Sequence, residues 1–260
     1  FSQEGSELVT NGNFATDTDW TKQTSWSISS GSANYDFLSD SKYIRQTLLN
    51  GGFVAGKTYK INFEITSGTA YMNVNSNGGG LISLSTYSVG SYSIYVTPSI
   101  SASDLLFYGR NTSGTAFSIT NISVKEVGQD WTITGTGWNI SDNGLSGLSA
   151  EQNVEQPIST ILGKKYVIKF TISNWVSGDV YVRPNNSAGT QFYVNGNGTY
   201  TEEFTGVSNS LVIRARPSIP FTGTISNISV IEITDDTNLP RINYEGFSYQ
   251  DSLGSEEVVN

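Results

Sequence analysis

The sequence contains the same pattern of residues twice, and this internal repeat limits the possible folds more than any other feature. The first copy includes GKTYKINFEI at 56–65, and the second has GKKYVIKFTI at 163–172. Each copy ends on a similar segment, SITNISVKEV at 118–127 and TISNISVIEI at 224–233. Two copies of about 110 residues predict two homologous domains, because solenoid repeats are only about 20–50 residues long.

Alternation of apolar and polar residues within each copy predicts β-strands. In 56–65, polar residues separate the apolar Tyr59, Ile61 and Phe63, which is the period of a half-buried strand. Segment 118–127 alternates less regularly, so we expect a β-bulge there. Glycine-rich segments separate the strands, and no window has helical spacing. We therefore predict an all-β chain of two tandem β-sandwich domains.

Composition excludes several classes of function. The chain has no cysteine and no histidine, which removes disulfides, thiolate and imidazole metal sites, and every catalytic triad that needs histidine. Its formal net charge of −9 predicts that nucleic acid is not a partner, since affinity for phosphates comes largely from Lys and Arg. No apolar run reaches the roughly 18–20 residues of a transmembrane helix, so membrane insertion is not expected.

Several motifs of the first copy resemble one known family. They are LVTNGNF at 8–14, Asp19-Trp20, Trp26-x-Ile28, the GKTY strand and the closing F-x-I-x-N-I-S-V-x-E of 117–126. Together they are similar to the carbohydrate-binding modules of families four, nine, sixteen and twenty-two, which are galactose-binding-like jelly rolls. The resemblance covers nearly all of 7–127 and is weaker across 130–234. It implies two tandem jelly-roll β-sandwiches that bind sugar without catalysis.

The repeat and the resemblance predict three segments. They are a first carbohydrate-binding-like module at 7–128, a second at 129–234 and a C-terminal linker or extension at 235–260. Within the last segment, residues 237–242 followed by Tyr244 resemble a junction found after such modules in tail and fibre proteins of bacterial viruses. The two resemblances together imply an extracellular or virion-surface location.

A structural calcium between the first and last strands is common in the family that the chain resembles. The matching positions hold Asn13, Ala15 and Asn121 where the family has acidic ligands, and either Glu7 or Asp17 can complete a site. Calcium prefers several oxygen ligands including carboxylates, so the loss of these acids weakens the case for an ion. The alternative is that the asparagines shape a turn.

A sugar site needs aromatic faces for the pyranose ring, surrounded by amide and guanidinium groups for the hydroxyls. Strand alternation indicates which side chains point away from the core. The resulting candidates are Tyr43, Arg45, Tyr71, Asn73, Tyr108 and Arg110 in the first copy, and Tyr181, Arg183, Arg214 and Arg216 in the second. The three arginines suit an acidic glycan or an acidic neighbouring subunit. The alternative for both sets is an ordinary solvated sheet face, where Tyr and Arg are common cross-strand partners.

Tryptophans recur at matched positions, Trp20 with Trp131 and Trp26 with Trp138. We predict that these four pack in the cores, with exposed sugar platforms as the alternative. Trp175 breaks the repeat. We predict that it lies in a loop insertion, where a lone tryptophan is a candidate for interaction with a ligand.

Catalysis is not expected. Glycoside hydrolysis needs two carboxylates at a defined separation, and no acidic pair recurs in both copies. The sequence therefore predicts a glycan-binding tandem module that attaches a larger extracellular or virion protein to polysaccharide or a cell-surface glycan. The alternative is a structural spacer or decoration unit of a viral fibre or capsid, whose faces contact other virion subunits.

Overall fold

The predicted alternation becomes β-structure in the computed structural model, which describes residues 4–128, 130–141, 143–184, 191–207 and 210–234. Besides strands, these residues contain one three-residue 3-10 turn, Leu49–Gly51, and no α-helix. None of the described segments is a helix with the length and hydropathy needed to span a bilayer. The prediction of an all-β chain is confirmed.

Residues 4–127 form two antiparallel sheets that enclose one core. The strands are β1 (Glu4–Glu7), β2 (Thr21–Lys22), β3 (Trp26–Ser29), β4 (Ser32–Tyr35), β5 (Lys42–Thr47), β6 (Thr58–Ser67), β7 (Ala70–Ser76), β8 (Gly79–Tyr87), β9 (Gly90–Val96), β10 (Asp104–Gly109) and β11 (Phe117–Val127). One sheet has the order β3-β4-β11-β6-β9, with β1 beside β11. The other has the order β2-β5-β10-β7-β8, so the first copy is a β-sandwich.

The second copy repeats most of this arrangement with nine strands in its described residues. Its strands are β12 (Thr132–Ile133), β13 (Thr136–Ser141), β14 (Gly144–Pro157), β15 (Lys165–Ser177), β16 (Val180–Arg183), β17 (Phe192–Val194), β18 (Gly198–Thr205), β19 (Ser210–Ala215) and β20 (Phe221–Glu232). They follow the order β17-β16-β19-β14-β20-β15-β18, and β12 and β13 also pair with β14.

Strand β14 belongs to both sheets of the second sandwich. In the first copy two separate strands take these places, β4 in one sheet and β5 in the other. The first half of β14 pairs with β13 and β20, and its second half pairs with β12 and β19. Ser149 and Gln152 have φ angles of 47° and 63°, and the register with β20 shifts between Gly147 and Ala150. The strand turns the corner at this irregularity.

The closing strand of the first copy contains the bulge that its irregular alternation predicts, and the closing strand of the second copy has a matching bulge. Asn121 in β11 has a φ of 51°, and the register with β6 shifts between Thr120 and Ser123. Asn227 holds the matched position in β20 with a φ of 52°, and the register with β15 shifts beside it. Asparagine tolerates this left-handed conformation better than most residues, which supports a conformational role for Asn121.

Each sandwich has its own hydrophobic core, to which both sheets contribute. The four repeated tryptophans each expose 6% or less of their surface and pack in these cores: Trp20, Trp26, Trp131 and Trp138. The prediction of core packing is confirmed, and the exposed sugar platform is excluded for all four.

The junction between the sandwiches is short. The backbone N–H of Ile133 donates to the carbonyl of Gly56 at 2.8 Å, and Val127 at the end of β11 packs in the second core. The boundaries after residues 128 and 234 stay a prediction. The extension at 235–260 and the junction motif within it lie outside the described residues.

One tyrosine hydrogen bond recurs in both copies and gives a prediction. The hydroxyl of Tyr59 accepts from the backbone N–H of Val54 at 2.8 Å, and that of Tyr166 accepts from Ile161 at 2.8 Å. We expect Tyr59→Phe and Tyr166→Phe each to lower the free energy of unfolding by about 1–2 kcal/mol, because a part-buried N–H loses its partner. Urea denaturation measures this change. Tyr71→Phe is the control, since its hydroxyl has no hydrogen bond within the described chain, and equal losses in all three variants would contradict the prediction.

Candidate functional site

The six candidates of the first copy share the outer surface of the sheet β2-β5-β10-β7-β8, which we call the first face. Ile44, Val74 and Phe107 turn into the core, so their neighbours along each strand point outward. The structure brings all six predicted side chains together on this face, each partly exposed: Tyr43, Arg45, Tyr71, Asn73, Tyr108 and Arg110.

An aromatic pair and an amide form the central row of the first face. The register places Tyr108 opposite Tyr43 on one side and opposite Asn73 on the other. The ring centroids of Tyr43 and Tyr108 are 5.3 Å apart, with the planes inclined at 66°. This edge contact supports both rings, so the row offers a positioned aromatic surface next to a hydrogen-bonding group.

A cleft of about 330 Å³ opens beside this row. Asn73, Asn75, Arg110 and residues 80–84 line it. The Nδ2 of Asn73 donates to Oδ1 of Asn75 at 2.9 Å, while Oδ1 of Asn73 is buried and has no hydrogen-bond partner within the described structure. Buried acceptors are normally satisfied, so a hydroxyl donor that enters the cleft would complete the hydrogen bonding of Asn73.

Carboxylates hold both arginines of the first face. The Nε of Arg110 donates to Oδ1 of Asp40 at 3.1 Å, and the backbone N–H of Asn111 donates to the same oxygen at 3.0 Å. The bond from Arg110, followed by that from Asn111, lowers the pKa of Asp40. On the next row, Nη1 of Arg45 lies 3.5 Å from Oδ2 of Asp104. Each guanidinium has five N–H donors, so both arginines keep donors for a ligand while their positions are fixed.

Tyr181 of the second copy does not provide the stacking surface that the sequence predicts. Its ring points away from the core, but only 7% of the residue is exposed. The guanidinium carbons of Arg183 and Arg216 lie 5.5 and 5.3 Å from the ring centroid, and the Tyr193 ring packs at 4.1 Å. These neighbours cover the ring, so a sugar cannot stack on it.

The three predicted arginines do lie together on the outer surface of β17, β16, β19 and the second half of β14, which we call the second face. The register places Arg214 opposite Tyr181, and Arg183 two pairs further along β16. Arg216 follows β19, and its Nε donates to Oδ1 of Asp179 at 3.2 Å. Its charge is therefore balanced by a carboxylate.

Trp175 does not lie on a loop. It belongs to β15, where the register with β20 shifts between Ser173 and Ser177, so the inserted residues form a bulge within a strand. Its Nε1 donates to the carbonyl of Gly178 at 2.9 Å, and the half-buried ring packs against the second core. The prediction of a loop tryptophan is wrong, because Trp175 fills a place in its own sandwich.

Both acids of the calcium hypothesis have protein partners. Asp17 pairs with Nζ of Lys22, and Glu7 accepts several hydrogen bonds. Its Oε1 accepts hydrogen bonds from the backbone N–H groups of Leu8, Val9 and Val124 at 3.1, 3.0 and 2.8 Å. Its Oε2 accepts from the hydroxyl of Ser123 at 2.6 Å. A cation would have to displace these four donors from the carboxylate.

The two asparagines of the calcium hypothesis also have other partners. Oδ1 of Asn13 accepts from the backbone N–H of Ala15 at 3.3 Å, which is a local turn contact. Nδ2 of Asn121 donates to Oε2 of Glu64 at 2.8 Å. The described residues contain no group of three acidic side chains that could hold a metal ion. The residues present therefore fit the turn-shaping alternative better than a calcium site.

Sequence reasoning missed three residues on these faces. Asn75 continues the alternation of Tyr71 and Asn73, so the pattern itself could have identified it. Asp40 and Tyr193 gave no such signal, because one lies in the loop after β4 and the other in a three-residue strand. Tyr193 packs beside Tyr181, and 56% of its surface is exposed to solvent.

Comparison with known proteins gives distant structural similarities. No protein-family model matches the sequence, and no curated protein matches it. The tandem CBM22-1–CBM22-2 domain of Paenibacillus barcinonensis Xyn10C is 12% identical with a TM-score of 0.35, covering 92% of this chain and 94% of that one. The tandem CBM51 modules of the family 98 glycoside hydrolase Sp3GH98 from Streptococcus pneumoniae are 8% identical with a TM-score of 0.27, covering 88% and 95%. Both neighbours are tandem carbohydrate-binding modules, but these scores are too low to assign a function.

Proposed function

We propose that the first face binds a neutral glycan and that the chain is a non-catalytic module that attaches a larger extracellular or virion protein to polysaccharide. The observation that carries the proposal is a cleft that Asn73, Asn75 and Arg110 line beside the fixed rings of Tyr43 and Tyr108. The buried Oδ1 of Asn73 has no hydrogen-bond partner within the described structure. A sugar ring needs an apolar surface for its C–H groups and placed polar groups for its hydroxyls. This row supplies both within three adjacent strands.

The acids of the first face support binding rather than catalysis. Asp40 is held by Arg110, and Asp104 is held by Arg45 and the hydroxyl of Thr47. A general acid in glycoside hydrolysis needs a raised pKa, whereas the contact with Arg110 lowers the pKa of Asp40. Both carboxylates therefore serve to position arginines.

Tyr108→Ala and Asn73→Ala test the proposal. On a neutral glycan identified by array screening, we expect Tyr108→Ala to weaken affinity about tenfold through the loss of ring contact. We expect Asn73→Ala to weaken it about three- to tenfold through the loss of one acceptor. Isothermal titration calorimetry measures both changes.

Tyr95→Ala is the matched control, because Tyr95 lies on β9 in the opposite sheet. Binding that survives Tyr108→Ala and Asn73→Ala, or falls equally in Tyr95→Ala, would reject the first face as the site. A chain that binds no glycan but associates with a capsid or fibre subunit would establish the structural alternative instead.

A further inference from the structure

Within the described residues, two arginines of the second face form no ion pair with an acid. Arg183 on β16 is opposite Val212, and Arg214 on β19 is opposite Tyr181, so the two arginines are diagonal neighbours across the strand pair. Diagonal positions are about 7–8 Å apart, which is close enough for two long cations to share one ligand. Among the described residues, no ion pair joins either arginine to a carboxylate.

Asp179 and Glu155 are the acids beside these arginines, and the register puts Glu155 opposite Val212, diagonal to Arg214. Asp179 pairs with Arg216 through both carboxylate oxygens, and Glu155 accepts from Nδ2 of Asn153 at 3.1 Å. The Nε of Arg183 is buried and has no hydrogen-bond partner in the described part of the chain. In a chain of net charge −9, two neighbouring cations that form no ion pair within the described part of the structure are a local site for an anion.

The covered ring of Tyr181 gives this site its geometry. Arg183 and Arg216 stack over the ring, which orients their planar guanidinium groups against a rigid support. A guanidinium fixed in this way presents paired N–H donors that match the two oxygens of a carboxylate. Next to it, Tyr193 is 56% exposed and offers an aromatic surface for the C–H groups of a sugar ring.

We infer that the second face binds uronate-bearing glycans, with Arg183 and Arg214 holding the sugar carboxylate and Tyr193 contacting the ring. The inference extends the proposed glycan binding to the second copy and names the chemical class of the glycan. It rests on the proposed function only in that the partner is a glycan. This site differs from the first face, where carboxylates neutralise both arginines. On the second face an exposed aromatic side chain lies beside two arginines that form no ion pair among the described residues.

The test uses the whole chain with polygalacturonate, alginate and hyaluronan at low ionic strength, measured by affinity electrophoresis and calorimetry. We expect at least one of these polyuronates to bind, and Arg183→Gln combined with Arg214→Gln to weaken that binding by about 30-fold or more. Fully methyl-esterified polygalacturonate is the matched ligand control for polygalacturonate, because it keeps the sugar ring and removes the charge. We expect the esterified form to bind at least tenfold more weakly wherever the acid form binds.

A second double variant separates specific recognition from net charge. Lys165 and Lys169 are exposed on β15 in the other layer of the same sandwich. The double variant Lys165→Gln with Lys169→Gln therefore removes the same number of positive charges at a different place. We expect this variant to retain the affinity of the natural chain. The inference is overturned if both double variants weaken binding equally or if the ester binds as well as the acid form. It is also overturned if none of the three polyuronates binds, or if a polyglutamate peptide binds more tightly.

Tyr108→Ala makes the two proposals independently testable. This variant should leave the affinity for polyuronate unchanged while it weakens binding of a neutral glycan. Polyuronate binding without any binding of neutral glycans would reject the proposed function of the first face and leave the second-face inference standing.

Discussion

Gly68→Ala should destabilise the first sandwich by about 3 kcal/mol or more, the largest effect that we expect from a single methyl group in this chain. Gly68 has a φ of +74°, and a Cβ there would lie 1.9 Å from the carbonyl oxygen of Ala116. Backbone atoms cannot move aside as a flexible side chain can. Gly178 is the matched glycine of the second copy, with a φ of +81° and a Cβ position 2.2 Å from the carbonyl oxygen of Pro220. We expect Gly178→Ala to have a similar effect on the second sandwich.

The chain supplies its own control for this prediction. Gly51 and Gly163 have nearly the same φ, +84° and +82°, but a Cβ on either would meet no atom within 4 Å. Gly51→Ala and Gly163→Ala therefore measure the dihedral cost alone, which is about 1–2 kcal/mol. Chemical denaturation of all four variants separates the cost of the positive φ from the cost of the close contact. If the free energy of unfolding falls no further in Gly68→Ala and Gly178→Ala than in Gly51→Ala and Gly163→Ala, the close approach of the two backbones is wrong.

The first face could be predicted from the sequence because strand alternation decides which side chains point outward. In β7 and β10, Met72, Val74 and Phe107 are buried, so Tyr71, Asn73 and Tyr108 had to lie on the opposite surface. The pattern has a period of two residues and does not depend on which strands pair. Assembly of one face from three strands then follows once the sandwich is recognised.

Alternation could not predict what covers an outward side chain. Tyr181 points outward as its position in β16 requires, yet Arg183, Arg216 and Tyr193 bury it. Those contacts depend on cross-strand register, and register is set by pairing partners distant in the sequence. The same limit explains Trp175, since an insertion within a strand reads as a loop until the partner strand shows the bulge.

Glu7→Ala is the second large effect that we expect, a loss of about 3 kcal/mol in the free energy of unfolding of the first sandwich. The carboxylate accepts two hydrogen bonds from the chain directly after β1 and two from the closing strand β11, so it joins the two segments. Alanine leaves the backbone N–H groups of Val9 and Val124 without this acceptor in a part-buried position, whereas that of Leu8 keeps the carbonyl of Val124 at 2.9 Å. Hydrogen bonds to a charged acceptor are stronger than those to a neutral one. Urea denaturation followed by tryptophan fluorescence measures the loss, with Glu203→Ala on the exposed strand β18 as the control for removing an acid.

Glu7→Gln and a chelator distinguish this hydrogen-bonding role from calcium binding. The amide oxygen of glutamine can still accept from the three N–H groups, so we expect Glu7→Gln to lose only about 1 kcal/mol. A calcium ligand would behave differently, because an amide is a weaker calcium ligand than a carboxylate and a chelator would lower the stability of the natural chain. We expect the chelator to leave the free energy of unfolding unchanged, since the contacts of Glu7 within the described structure are to N–H and O–H donors. A chelator-dependent fall in stability that disappears in Glu7→Ala would instead establish an ion at this position and reverse the assignment.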